Sequence, residues 1–319
     1  MNAVGKSSVV FVTLSGLFWG GWVLGSQTPE GQEALARAYA TYAEQQTVAN
    51  QDLWDSTALR AIVCGTSGAE TAESKPCLAV AAAGRLFIVD AGSGAADALT
   101  RRGVSMDRLS AVLLTNAGAT QTADLDEMYV GASRAHALLP VYGPAETQRM
   151  VDGLNSAAGY DGFERGLQAW GPSPEPGRSV IVFEADGLVV SAFTSEEDAF
   201  SGRVGYRFDY RGRSIVIGGD GNVASATAAV NADVVMQGAQ SEALAHLHAG
   251  GSATAAQVAA QAQANNAGLV VLTGADTQIS GQVQVAEARA AGFDDVIAGR
   301  VGMVLELPLA NSEINVRAL

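Results

Sequence analysis

Few residues in this 319-residue chain could do chemistry. There are three histidines: His136, His246 and His248. His246 and His248 alternate, so on a strand they would share a face, where such a pair can bind a metal or work as acid and base. In the polar stretch they occupy, solvated side chains are the plainer reading. Cys64 and Cys77 form neither a CxxC pair nor a Cys/His cluster, which argues against a structural zinc site. They pair as a disulfide if the chain is exported and are free thiols otherwise. A Ser67–His248–Asp220 triad can be written down, but no G-x-S-x-G turn presents the serine. Glu197 and Asp220, with the Asn116 amide, offer oxygen donors that suit Ca²⁺ or Mg²⁺. Asp220 reads more simply as a loop-capping residue.

These residues need strands and loops to position them. The stretch 111–128, AVLLTNAGATQTADLDEM, reads as an apolar strand, a polar loop and a helix start. Before it, LRAIVCG, CLAVAAAG and RLFIVDAGSG are short buried strands, the last two joined by a tight turn at Gly84-Arg85. After it come a helical Leu125–Ala137, a strand LPVYGP and a Gly-broken helical stretch, Ala145–Leu167. SVIVFEADGLVVSAF and GYRFDYRGRSIVIGGD read as hairpins that turn at Asp186-Gly187 and Arg211-Gly212. ADVVMQGA and LVVLTGAD are strands around an alanine-rich helix, Ala253–Ala267. VIAGRVGMVLELP closes the chain with short strands. Strands and helices in two similar halves predict two sheets packed face to face under outer helices.

The N-terminus sets the expected compartment. Ser7–Gly25 is apolar, and no charged residue lies between Lys6 and Glu30. This approaches the ~20 residues that a membrane span needs, with Trp19 and Trp22 toward its end. Its length favours an uncleaved anchor over a signal peptide. The expected division is a membrane anchor over 1–28, a helical linker over 29–58 and the main domain over 59–319. Lys6 before the span, with Glu30 and Glu33 after it, puts the main domain outside. The expected location is therefore a bacterial inner membrane, single-pass, with that domain on the periplasmic side. A net charge of −14 repels phosphate backbones, so nucleic acid is not an expected partner.

From about Leu59 to Pro308 the chain resembles the metallo-β-lactamase fold, and within it the ribonuclease Z and arylsulfatase-like branch. AIVCGTSGA is similar to the family's opening strand and G-T-G-x-P loop. LFIVDAGSG is similar to its strand ending D-x-G-x-G, with Asp90 and Gly92 in place. VGYRFDYRGRSIVIGGD is similar to G-Y-R-f-x-y-x-G-r-s-v-v-i-S-G-D-T, and ADVVMQGAQ to a-D-l-l-v-H-E-a. The resemblance implies a four-layer αββα sandwich. It also implies a site for two metal ions, usually zinc, held by five histidines and a bridging aspartate.

The residues do not supply that set. Asn116 and Gly118 stand where the resemblance places the two histidines of the first metal. Thr120 and Gln121 replace the aspartate and histidine of the second. A further histidine falls on Glu197 and the last on Gly274, and Asp220 matches the bridging aspartate. The helper histidine falls near Gly250. Three histidines in the whole chain cannot rebuild five ligands. Asn, Gly and Thr are poor substitutes for deprotonated N, S or O donors. No metal or other cofactor is expected.

The functional expectation that follows is a membrane-anchored pseudoenzyme, not an enzyme. It would serve as an accessory subunit or binding module beside integral membrane proteins of a larger complex, attached through residues 7–25. The alternative is an exported hydrolase of esters or phosphodiesters with altered or single-metal chemistry, using Glu197, Asp220 and His246 or His248. A third reading is a small-molecule sensor that uses the vacated metal cleft as a pocket.

Overall fold

In the computed structural model, which describes residues 28–33, 37, 50–66, 75–199, 202–219, 227–242, 253–275 and 278–319, the apolar runs become fifteen strands. The first six are β1 (Ala58–Gly65), β2 (Cys77–Ala82), β3 (Arg85–Val89), β4 (Leu109–Leu113), β5 (Leu138–Tyr142) and β6 (Gly166–Trp170). Then follow β7 (Val180–Ala185), β8 (Leu188–Phe193), β9 (Gly205–Tyr210), β10 (Arg213–Ile217) and β11 (Val234–Gln237). The last are β12 (Leu269–Leu272), β13 (Val296–Ala298), β14 (Met303–Pro308) and β15 (Asn315–Ala318).

They form an eight-stranded sheet, ordered β15-β14-β1-β2-β3-β4-β5-β6, and a seven-stranded sheet, ordered β13-β12-β11-β10-β9-β8-β7. Within each, one run is parallel: β3 to β6 in the first, β10 to β13 in the second.

Alternation along the strands sorts side chains into layers. On β1 and β3, Ala61, Val63, Phe87 and Val89 face the second sheet and meet Tyr206, Phe208, Ile215 and Met236. The Phe87 and Phe208 rings lie edge to face, with centroids 5.9 Å apart. The intervening residues Ile62, Cys64, Leu86 and Ile88 face outward, against helices α1 (Ala95–Thr100), α3 (Leu125–Ala132) and α4 (Thr147–Ala158). The short α2 (Ala119–Thr122) lies between α1 and α3 in the chain. On the far side, Val216, Val235, Val270 and Leu272 lie under α6 (Ala255–Ala264) and α7 (Gln278–Ala290). A one-turn α5 (Glu196–Ala199) follows β8. The order is helix, sheet, sheet, helix. Strands β1 and β10 are covered on both faces and buried at every position, Arg60, Arg213 and Ser214 included.

Residues 1–27, which carry the expected span, lie outside the described residues. Among the described residues no helix is long and apolar enough to cross a membrane. The chain divides at residue 50, and the unit that holds both sheets begins at Gln51, earlier than the expected Leu59. The reason is Leu53, which is fully buried in the short helix Gln51–Trp54, with the Arg108 guanidinium 5.0 Å over the Trp54 ring. The first hairpin turns at Ala83-Gly84, not Gly84-Arg85. Both residues have positive φ, 52° and 71°, as a type I′ turn requires. The stretch expected to be helical to Leu167 ends at Ala158, because Gly159 adopts the left-handed conformation that closes a helix. The chain then forms β6, which sequence reading missed.

Cys64 and Cys77 are joined by a disulfide, with Cα atoms 5.0 Å apart. Pairing runs Val63 to Leu78 and then Gly65 to Cys77, so Cys64 is the extra residue of a bulge. Nearby, Arg60 is 2% exposed and held by two acids: Nε donates to Glu306 at 2.8 Å and Nη2 to Asp55 at 2.9 Å.

Candidate functional site

The loops after β3, β4, β10, β11 and β12 meet at one rim. Asp90 N donates to Leu113 O at 3.0 Å, and Ala91 N donates to Gln121 O at 2.7 Å. Val204 N reaches Thr115 O at 3.0 Å, and Gly238 N reaches Gly219 O at 2.7 Å. A Cβ on Gly219 would run into the Thr115 side chain, so the β10 and β4 ends are in contact. Parallel strands that end together are where ligand sites of α/β proteins form.

Asp90 anchors this rim. It is 3% exposed and has φ of 60°. Oδ1 accepts from Thr115 N and Oδ2 from Thr115 Oγ1, both at 2.8 Å. Beneath it, the buried Tyr206 hydroxyl donates to Leu114 O at 2.9 Å. Burial pushes the Tyr206 hydroxyl well above its ordinary range, and the Asp90 charge adds to this. Tyr206 is therefore a neutral donor that ties β9 to the end of β4.

The loop positions matched to metal ligands are occupied by one another. Asn116 Oδ1 accepts from Gly118 N at 2.8 Å. Thr120 Oγ1 donates to Gln121 Oε1 at 2.5 Å, and Thr122 Oγ1 donates to Gly118 O at 3.0 Å. A Cβ on Gly118 would stand 2.7 Å from Asn116 Oδ1 and 3.0 Å from Gln121 Oε1. Gln121 itself is 3% exposed. The loop is a closed amide and hydroxyl network.

Gly274 is more constrained. A Cβ there would collide with the carbonyl oxygen of Ala239 and come within 2.6 Å of the Ala239 nitrogen. The same carbonyl accepts from Gln284 Nε2, reaching across from α7, at 2.9 Å. No histidine fits at 274 without moving this backbone.

Of the other candidates, Glu197 lies in α5, while its side chain, Asp220, Ser67, His246, His248 and Gly250 lie outside the described residues. His136 stands between α3 and the start of β5, at the end opposite the rim. Among the described residues no three His, Cys, Asp or Glu side chains converge as a metal site. The histidine centre of the fold family does not fit the residues present: Gly118 and Gly274 have no donor, and their neighbours fill the space a donor would need.

Sequence reading missed Asp198 and Gln284. Asp198 is 3% exposed, and its Oδ2 accepts from Ser195 Oγ at 2.8 Å while its own N donates back to Ser195 Oγ at 3.0 Å. The signal was present as Ser-x-x-Asp, a helix-capping pattern. Gln284 is buried in α7, and its Oε1 has no hydrogen-bond partner among the described residues. A single glutamine in a polar helix gave no sign of this.

Two face-to-face sheets under outer helices, with the strand ends gathered at one rim, define a layered αββα fold. Comparison with known proteins agrees. No family model matches the chain. Ribonuclease Z of Mycobacterium marinum is 29% identical over 156 residues, 46% of this chain and 56% of that protein. The chain thus spans about half the length of the curated relatives it matches. The metallo-β-lactamase fold protein YhfI of Bacillus subtilis superposes with a TM-score of 0.63 at 16% identity, over 78% of this chain and 99% of that one. The short form of human tRNase Z gives 0.61 at 18%, with the same coverage. The chain has the metallo-β-lactamase fold and is similar in sequence to ribonuclease Z.

These relatives correct one expectation. The chain was expected not to be an enzyme, because the histidines are gone. The curated relatives it matches are named ribonuclease Z, and structural neighbours include a tRNase Z and a diphosphatase. The relatives thus point toward hydrolytic enzymes and away from a chain without activity.

Proposed function

We propose that this chain is a hydrolase of small esters or phosphodiesters that works at the strand-end rim without the histidine centre of its relatives. The observation that carries this is the match to ribonuclease Z, which extends to 29% identity in a chain whose rim loops remain packed in order. Asp220, matched to the bridging aspartate, and Glu197 are the carboxylates assigned to the reaction. One acts as general base: it takes a proton from water as the water oxygen bonds to the carbonyl carbon or phosphorus. His246 or His248 returns a proton to the leaving oxygen as its bond breaks. Small substrates are favoured over polynucleotides by the −14 charge, which opposes a polyanion.

The proposal includes export. Attachment through residues 7–25 would hold the domain on the periplasmic side of a bacterial inner membrane, beside integral membrane proteins. The Cys64–Cys77 disulfide supports an oxidising compartment. The test is hydrolysis of p-nitrophenyl esters and bis-p-nitrophenyl phosphate by the purified full chain. Turnover that falls about 100-fold or more in Asp220→Ala is the expected result. Equal rates for the wild type and Asp220→Ala overturn the assignment.

A further inference from the structure

A groove of about 1040 Å³ runs along the seam between the two sheets, where β13 and β15 are the edge strands. One wall is a single face of α7: Gln278, Gly281, Gln282, Val285, Ala286 and Arg289, at helical spacing. Opposite lie β13, Val301, Met303 and Val316. The lining is mainly apolar, and the volume is that of a small-molecule site. Its upper end reaches Ala275, next to Gly274 at the rim.

Two arginines line this groove, Arg289 and Arg300. Among the described residues neither guanidinium has a hydrogen bond or an acid partner. Both are exposed to solvent, and among the described residues they bring two cations without acid partners to one apolar groove of a chain with 33 acidic and 19 basic residues. They stand at opposite ends. The helix α7 is the crossover between parallel strands β12 and β13, so it runs back against them. Its first turns meet the end of β13: a Cβ on Gly281 would lie 2.9 Å from the Ala298 Cβ. Arg300 follows that end, whereas Arg289 lies in the last turn of α7. At 1.5 Å rise per residue, Gly281 to Arg289 covers about 12 Å.

We infer that this groove binds an elongated small molecule with an apolar middle and an anionic group at each end, such as an α,ω-dicarboxylate. The valines and Met303 take the apolar body, and each guanidinium takes one anion, a geometry in which arginine forms paired hydrogen bonds with a carboxylate. A neutral or singly charged chain of the same length leaves one or both arginines unpaired. The inference does not depend on the hydrolytic proposal.

The test titrates the full chain, in detergent-free buffer or zwitterionic nanodiscs, with dodecanedioate and with dodecanoate, followed by calorimetry. The dicarboxylate is expected to bind saturably and about tenfold more tightly than the monocarboxylate. Arg289→Ala and Arg300→Ala should each bring the dicarboxylate down to the monocarboxylate's affinity. Among the described residues neither variant loses an internal partner, so the melting temperature should not change. No saturable binding, equal affinities for the two ligands in the wild type, or unchanged affinity in either variant would overturn the inference.

Discussion

The carbonyl oxygen of Ala239 occupies the space that a side chain on Gly274 would enter. Backbone cannot yield as the tip of a flexible side chain can. Gln284 holds that carbonyl from the other side, at 2.9 Å. Gly274→Ala is therefore expected to destabilise the fold by about 1–3 kcal/mol, and Gly274→His by more. Urea unfolding of both variants measures this. Stabilities equal to the wild type would mean that the β12 loop is free to move aside.

A second prediction concerns Asp90 and Thr115. The Thr115 hydroxyl and amide together satisfy both oxygens of a buried carboxylate. Thr115→Val keeps the shape and the amide but leaves Oδ2 without that donor. The expected cost is about 1–3 kcal/mol, with Thr115→Ser restoring most of it. A neutral valine variant would show that Asp90 is satisfied in another way.

Most of the architecture was legible because burial on both faces leaves continuous apolar runs, and AVLLT or RLFIV cannot be much else. The hairpins at Asp186-Gly187 and Arg211-Gly212 were legible from turn chemistry, since both positions take positive φ. The edge strands β6 and β15 were not. GLQAW and NVRA are short, half-exposed and without strong alternation. At the rim, the residue types at Asn116, Gly118, Thr120, Gln121 and Gly274 were readable as poor metal donors. What filled the space was not, because the closure at Gly274 comes from an Ala239 carbonyl whose position depends on how β11 and β12 end. The step from missing ligands to absent activity was the one that the relatives corrected.

The disulfide yields a third prediction. Cys64 and Cys77 are 13 residues apart and both buried. Closing a loop of this size restricts the unfolded chain and stabilises the fold by about 3 kcal/mol. The paired variant Cys64→Ala/Cys77→Ala should lose about that much, read from the urea midpoint, and thiol reductant should not shift the variant further. A midpoint unchanged by the double substitution would contradict the prediction.

The Arg60 cluster makes stability depend on acid. Burial would raise the Asp55 carboxyl, but hydrogen bonds from the Thr57 side chain and backbone, and the Arg60 guanidinium, outweigh this and lower it from 3.8. A carboxyl lowered in the folded state contributes stability that is present above its unfolded value and is lost as pH falls through its folded one. Asp55→Asn should therefore be less stable than the wild type at neutral pH. The difference should begin to narrow as the pH falls below the ordinary 3.8 and close as it passes the lowered folded-state value. A gap that stays constant from pH 7 to pH 3 would mean that the pair contributes nothing through its charge.

The central claim, hydrolysis at this rim without the histidine centre, is tested most directly by measuring bound zinc and turnover on the same preparation of full chain. The account predicts measurable hydrolysis of an ester or phosphodiester with far less zinc than the about two equivalents of a dinuclear site, and a rate that does not rise with added zinc. Two tightly bound equivalents with a rate that follows zinc content would contradict it, as would no turnover on either class of substrate.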